Sequence, residues 1–358
     1  MNMRFLRAGL YLSTISLLAA QQTPAPADDP IRTTVQVVLA PVTVLNRDGS
    51  YVNGLEPRNF HLLDNGKPQN ISVDVAFQPI SMVIAIQAND QVEAMLPAIN
   101  RIGGLIGPLV IGDQGEAAVL AFDHRFRKMQ DFTSDPAQIA DSIKKITPGS
   151  TTSRMIDAVV ESVRMLRSRP ANHRRILLLI TETQDKGSEG KVREALNDVQ
   201  LHNVSVYSVN ISRAMAGLLG RRQPPRPDNR PPASSAALPP NVPATPNNVM
   251  QATGSDGGSA QFVPLMVEIF KDTKRIFVDN PVEVFTRGTG GTEYSFAKQK
   301  GLEEAIAKIG EEIHSQYLIS YNPNNKQEGG FHEITVQVST PGVKVRTRPG
   351  YWMGAGAN

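Results

Sequence analysis

Apolar and polar positions change rhythm twice along this chain. From Thr34 to Leu45, Val, Leu and Thr cluster and alternate, which predicts a strand. Asn46-Arg47-Asp48-Gly49 follows with the residues of a tight turn. Phe60-His61-Leu62-Leu63, the turn Asp64-Asn65-Gly66-Lys67 and the alternating Ile71–Val75 extend a β-rich opening without a helix. From Ser81 onward, apolar runs of five to seven residues alternate with longer amphipathic segments. That is the pattern of a largely parallel sheet flanked by helices. Strands are predicted over 82–87, 116–122, 174–181 and 204–211, with a shorter one near 125–131. Helices are predicted near 90–107, 135–146, 153–168 and 189–202, with Ser153 placed to cap the third of these.

Residues 213–262 interrupt the rhythm. Nine of the 26 prolines fall between Pro224 and Pro246, among Asn, Ala, Ser and Arg, too apolar-poor to offset the cost of ordering. A disordered insertion is expected there. A helical pattern returns over 264–274 and over 301–314, with a short strand near Tyr294–Phe296. The chain then turns back to β over Gln316–Tyr321, Phe331–Val338 and Val343–Thr347. Strand sets this small do not stand alone comfortably, so the N-terminal and C-terminal sets are expected to pair.

These patterns give a fold class: an α/β domain with a mostly parallel sheet flanked by helices, inserted in a β-sandwich-like domain. The expected division is 34–80 plus 316–352 for the sandwich and 81–315 for the α/β domain, with the 213–262 insertion inside it. Ahead of both, Arg4 and Arg7 precede a mostly apolar run from Ala8 to Leu18 and the small residues Ala19-Ala20, the order of a secretory signal. A signal over 1–20, a leader over 21–33 and a secreted, periplasmic or cell-envelope location are expected, with no membrane span after cleavage.

Composition narrows the chemistry. The 358 residues are 40% hydrophobic and 20% charged, enough apolar content for a packed core. There is no cysteine, which excludes thiolate chemistry, disulfides and a lipid-modified cysteine. The net charge of +3 comes from the signal and from the arginines of 213–262, leaving a slightly acidic body with no footprint for nucleic acid. The six histidines, 61, 124, 173, 202, 314 and 332, show no metal-ligand spacing and are expected at the surface or in turns. No G-x-S-x-G elbow is present, and Gly187-Ser188-Glu189-Gly190-Lys191 lacks the spacing of a phosphate loop. Asp185, Glu189 and Glu182 are read as acids at a helix entrance rather than as a Ca²⁺ site. No nucleophile–base pair can be nominated, so a non-enzymatic protein is expected.

Two apolar runs end in polar residues: 82–86 in Gln87-Ala88-Asn89-Asp90-Gln91, and 175–180 in Thr181-Glu182-Thr183-Gln184-Asp185. Between them Gly149-Ser150-Thr151-Thr152-Ser153 leads into a helix. Strand ends and helix starts of this kind build the crevice of an α/β sheet. With Leu55-Glu56-Pro57-Arg58-Asn59-Phe60, Thr289-Gly290-Gly291, Gln316–Tyr321 and Arg348-Pro349-Gly350-Tyr351, the chain resembles von Willebrand factor type A (VWA) domain proteins, in particular the VWFA-related exported proteins of acidobacteria. The resemblance spans roughly 31–352. It implies a doubly wound, mostly parallel sheet with helices on both faces and a metal-ion-dependent adhesion site at the carboxyl ends of the strands, built from an Asp-x-Ser-x-Ser loop, a Thr and a later Asp.

Carried over by position, the first Asp is Gln87, the two serines are Asn89 and Gln91, the Thr is Ser153 and the last Asp is Glu182. Mg²⁺ asks for oxygen ligands near octahedral geometry with carboxylate help, and three of these replacements, Gln87, Asn89 and Gln91, are neutral amides. The expectation is therefore a degenerate site with no tightly bound metal and no cofactor, a weak Mg²⁺ or Ca²⁺ site at Glu182, Ser153 and Asn89 being the alternative. The resemblance implies recognition of a protein partner through this crevice. A metal-dependent adhesin using the variant ligands, or an envelope scaffold binding through the Pro/Arg-rich insertion, are the competing readings.

Overall fold

The computed structural model describes residues 37–74, 78–212, 214, 280–296 and 300–353. The expected signal and leader, nearly all of the 213–262 insertion and the helical reading over 264–274 lie outside the described residues.

The chain begins with β1 (Val38–Leu45), β2 (Phe60–Asp64), β3 (Lys67–Pro68) and β4 (Ile71–Asp74). Asn65 and Gly66 take φ of 49° and 75° between β2 and β3, the left-handed pair that a two-residue hairpin needs. Then follow β5 (Ile80–Gln87), helix α1 (Leu96–Ile106) after a 3-10 segment, β6 (Glu116–Phe122), β7 (Phe126–Thr133), α2 (Pro136–Lys144) and α3 (Met155–Leu166). Next come β8 (Arg174–Thr181), α4 (Val192–Leu201), β9 (Val204–Asn210), α5 (Pro281–Gly288), β10 (Glu293–Ser295) and α6 (Lys300–Ser315). The last strands are β11 (Tyr317–Tyr321), β12 (Gly330–Val338), β13 (Lys344–Arg346) and β14 (Gly350–Met353).

β5 to β10 form one six-stranded sheet in the order β10-β9-β8-β5-β6-β7. Its pairings are parallel except that of β7, which runs antiparallel to β6 at one edge. Counted along the sheet, this is the doubly wound order 3-2-1-4-5-6 read from the β7 edge. Side chains of β5 alternate between two apolar layers, which is why the strand reads as an unbroken apolar run. Met82, Ile84 and Ile86 meet Ile99 and Ile102 of α1 and Ile306 and Ile309 of α6. Val83 and Ala85 meet Val159 of α3 and Leu196 of α4. The segment Asp90–Ile111 has the length and apolarity of a membrane span, but in this fold it is largely a core helix of the first layer.

Strands from both ends of the chain pair beside this sheet. One four-stranded sheet has the order β13-β1-β11-β4, and another the order β14-β12-β2-β3. Val38, Ala40, Val42, Phe60, Leu62, Ile319, Ile334 and Val336 form the core they share. The α/β layer and this sandwich belong to one compact unit. Their junction is polar and buried. Glu312 of α6 accepts from Thr292 (3.1 Å) and Tyr294 (3.0 Å) and pairs with Arg346 of β13. Gln316 donates to Thr43 of β1 (3.0 Å) and accepts from Tyr207 of β9 (3.0 Å). Burial pushes the Tyr207 phenol pKa up, so it stays a donor.

Two elements escape the sequence pattern, and one expectation needs correcting. The pattern gives no helix over 281–288, yet α5 is there: Asn280 caps it by accepting from Glu283 N–H (3.2 Å), and Pro281 opens it. Its signal is the Asn-Pro pair followed by Gly288, hidden because the helix is only two turns long. Tyr351-Trp352-Met353 lies in β14, an edge strand paired with β12 and too short to register as an alternation. Finally, His332 is not at the surface. It is fully buried on β12, 2.7 Å from Asp64.

Candidate functional site

β5 and β8 are neighbours, but the chain leaves them toward opposite layers, into α1 on one face and α4 on the other. The divergence opens a crevice at their carboxyl ends, the place where open α/β sheets present side chains to ligands.

Gln87 ends β5 with its side chain fully buried, at 0% exposure. Its Oε1 accepts from Thr181 Oγ1 (2.7 Å) and from the Glu182 backbone N–H (2.9 Å). Its Nε2 donates to Asn89 Oδ1 (3.0 Å) and Glu182 Oε2 (3.2 Å). One amide thus fastens β5 to β8 and to the following loop, with both donors and both acceptor positions used. Asn89 passes the connection on by donating to the Thr151 carbonyl (3.1 Å). Asp90 accepts from Thr151 Oγ1 (2.8 Å), and the Gly149 N–H donates to the Ala88 carbonyl (2.7 Å).

Of the five residues nominated from sequence, Gln87, Asn89 and Glu182 therefore meet directly. Ser153 sits beneath them, 2% exposed, and its Oγ has no partner among the described residues. Gln91 stands at the rim, where it accepts from Lys186 Nζ at 3.5 Å. Lys186 N–H in turn donates to the Ser153 carbonyl (3.2 Å), so the backbone links the two.

Asp123, which follows β6, belongs to the same floor and is not among the nominated residues. It is fully buried, its Oδ1 accepts from Arg125 N–H (2.7 Å), and its Oδ2 has no hydrogen-bond partner among the described residues. Oδ2 presses on Gly149 so closely that a Cβ there would stand 1.5 Å away, which requires glycine at that position. Its position after an apolar strand is the same signal that marks Gln87 and Glu182. His124 and Ser150 lie beside it: Ser150 Oγ is 2.6 Å, and Asp123 Oδ1 3.1 Å, from His124 Nδ1. A Ser-His-Asp relay uses both ring nitrogens, one for each neighbour. Here both neighbours share Nδ1, so this trio is no relay.

Ser153 does not cap α3. The cap comes from across the crevice, where Asp185 Oδ1 accepts from Met155 N–H (2.7 Å) and Ser188 Oγ (2.8 Å). Asp157 returns the contact by accepting from the N–H groups of Glu189 (3.0 Å) and Gly190 (2.8 Å). A carboxylate at a helix start also meets the positive end of the helix dipole. Replacing Asp185 by alanine is expected to lower stability by about 1–2 kcal/mol in urea unfolding, the range for a lost cap. Among the described residues, no three His, Asp or Glu side chains gather in a way that would hold a metal ion.

No protein-family model and no characterised sequence matches the chain. Solved structures do resemble it. The conserved hypothetical protein BatB from Bacteroides thetaiotaomicron is 14% identical with a TM-score of 0.38, over 65% of this chain and 99% of that one. Proximal thread matrix protein 1 from the mussel byssus, solved with a zinc-occupied MIDAS motif, is 10% identical with a TM-score of 0.41, over 69% of this chain and 49% of that one. The vWF domain of the type V pili tip protein Mfa5 from Porphyromonas gingivalis is 16% identical with a TM-score of 0.28, over 31% and 40%. The doubly wound sheet, its antiparallel edge strand and its helices on both faces are the arrangement that the VWA resemblance implies for the α/β layer.

Proposed function

We propose that this chain is an exported recognition module of the cell envelope or its exterior. In this reading a protein partner binds at the crevice over β5 and β8, without a tightly held metal. The observation that supports it is the closed hydrogen bonding of Gln87 at the centre of the crevice. A hard divalent cation requires several oxygen ligands, at about 2.0–2.1 Å for Mg²⁺. Gln87 Oε1 is already held by Thr181 and Glu182, and Asn89 Oδ1 by Gln87. That donor set does not fit Mg²⁺: ligation would break the bonds that join β5 to β8. What remains for a partner is a pre-organised floor closed by the Gln87 amide, with a polar rim of Gln91, Thr151, Glu182 and Lys186.

The test uses rim residues whose change leaves the floor intact. Gln91→Arg with Thr151→Arg is expected to abolish cross-linking to the envelope partner captured by the wild-type chain, without moving the melting temperature. Unchanged capture would show that the crevice is the wrong surface. Capture lost only on deletion of 217–260 would assign binding to the insertion. Titration of Mg²⁺, Mn²⁺ and Ca²⁺ into EDTA-treated protein is expected to give no thermal shift. A micromolar affinity would refute the metal-free reading.

A further inference from the structure

At the other end of the central sheet, where β8 and β9 begin, a pocket of about 170 Å³ lies against β1 and β11 of the sandwich. Its lining includes Arg174, Arg175, Arg348, His173 and His202, and no Asp or Glu. None of the three arginines has a carboxylate at ion-pair distance among the described residues. Arg174 donates to the Ile313 carbonyl (2.6 Å) and to Gln316 Oε1 (2.8 Å). Arg175 donates to the carbonyls of His202 (3.2 Å) and Arg169 (3.0 Å), while its Nε is buried without a partner. Arg348, only 4% exposed, donates to the carbonyls of Leu39 (3.1 Å) and Gly350 (3.4 Å), and its Nη2 is uncommitted.

Neutral carbonyls hold these heads but do not cancel their charge. Burial lowers the pKa of all three guanidinium groups, that of Arg348 to about 10; no carboxylate offsets the desolvation of Arg175 and Arg348, and Glu312 offsets that of Arg174 only in part. The nearby acids are engaged elsewhere: Glu116 with Arg169 (2.6 Å), Asp198 with His202 (3.0 Å) and Glu312 with Arg346. A buried charge left without a counter-charge is costly, and a bound anion would remove that cost.

Size and direction narrow the anion. The pocket has room for roughly six waters at about 30 Å³ each, enough for a phosphate-sized group and too small for a nucleotide. The uncommitted donors at the pocket, Arg348 Nη2 and the Asn172 amide at the exposed mouth, come from two separate segments, and the Arg174 and Arg175 guanidinium groups add charge beside them. A carboxylate suits a single guanidinium fork, whereas a tetrahedral oxyanion offers acceptors in several directions. We propose that this pocket binds a small tetrahedral oxyanion, phosphate or sulfate, free or as the head of a monoester. The proposal is independent of the crevice, which occupies the opposite end of the sheet.

The test is calorimetric titration of inorganic phosphate into the full chain, with ionic strength fixed by chloride. Saturable single-site binding is expected, weakened roughly tenfold or more by Arg348→Gln. Because Arg348 also holds two backbone carbonyls, Asn172→Asp serves as the second variant. It places a carboxylate at the exposed mouth and is expected to weaken phosphate binding with an unchanged melting temperature. Gln91→Arg, at the far end of the sheet, is expected to leave binding intact. Methyl phosphate binding as well as phosphate would identify a monoester head, and selective loss on methylation the free ion; either supports the site. No saturable binding of phosphate or sulfate, or binding unchanged by both Arg348→Gln and Asn172→Asp, overturns it.

Discussion

Replacing Asp64 with alanine is expected to destabilise the folded chain by about 3–5 kcal/mol, the range for removing one partner from a buried charged network. Asp64 is fully buried at the end of β2. Its Oδ1 accepts from His332 Nδ1 (2.7 Å) and Asn325 Nδ2 (3.0 Å), and its Oδ2 from the hydroxyls of Tyr321 (2.9 Å) and Tyr351 (2.8 Å). These donors come from β11, from β12, from β14 and from the turn before β12, so one carboxylate ties both sheets of the sandwich together. Alanine leaves four buried donors unsatisfied, each with its desolvation cost uncompensated. Asp64→Asn is expected to cost less, about 1–2 kcal/mol, because the tyrosine hydroxyls can rotate to accept from the new amide. Equilibrium urea unfolding of the three chains reads the difference.

The same network sets an alkaline limit. Burial, with the Asp64 charge adding to it, raises the pKa of the Tyr321 and Tyr351 phenols. Phenols of the unfolded chain ionise near pH 10. Below that value this contribution to stability is fully present, and it is lost as pH rises, because only the unfolded chain releases these protons freely.

Asp64 also shows where sequence reading loses its grip. Asp64-Asn65-Gly66-Lys67 reads as a turn, and the Asn65-Gly66 pair does turn. Asp64 itself is the last inward-facing residue of a strand, and its partners lie 257 to 287 residues further along the chain. Local composition carries no trace of such contacts. The α/β layer is far more legible, because strands buried on both faces must be continuous apolar runs and their helices must be amphipathic. Predicted strands 116–122 and 174–181 coincide with β6 and β8. Strand ends therefore point to Gln87 and Glu182 correctly as neighbours. What that logic cannot supply is the hydrogen-bond geometry between loops. Asp185, rather than Ser153, caps α3, and Asp123 is pinned against Gly149, through contacts made across the crevice.

The second large effect is expected at Gln87, where shape and charge can be separated. Gln87→Leu leaves the Glu182 N–H and Asn89 Oδ1 without their partner and Thr181 Oγ1 with only the Glu182 carbonyl (3.0 Å), and is expected to cost about 2–4 kcal/mol at any pH. Gln87→Glu keeps the shape and both accepted bonds, but replaces the donor facing Asn89 Oδ1 and Glu182 Oε2 with a second anionic acceptor. Asn89 cannot turn its amide to compensate without giving up its bond to the Thr151 carbonyl. Two carboxylates at that separation cannot both ionise freely, so the pair holds one proton above the ordinary carboxylate range. The folded state then binds a proton that the unfolded chain has released. Stability of Gln87→Glu is therefore expected to be highest below the unfolded carboxylate pKa, about 4.3, and to fall as pH rises through the raised folded value. A deficit of about 2–3 kcal/mol at neutral pH relative to the wild-type chain is the expected size, since a shift of one pKa unit is worth about 1.4 kcal/mol. Urea unfolding at pH 4 to 8 separates the flat profile of Gln87→Leu from the falling one of Gln87→Glu. Adding Mg²⁺ to Gln87→Glu then tests the crevice itself. Recovered stability would mean that the loops still hold a cation's geometry and that the neutral amide alone suppresses it. No recovery would mean that the loops have closed around the amide, and that restoring one charge is not enough to reopen them.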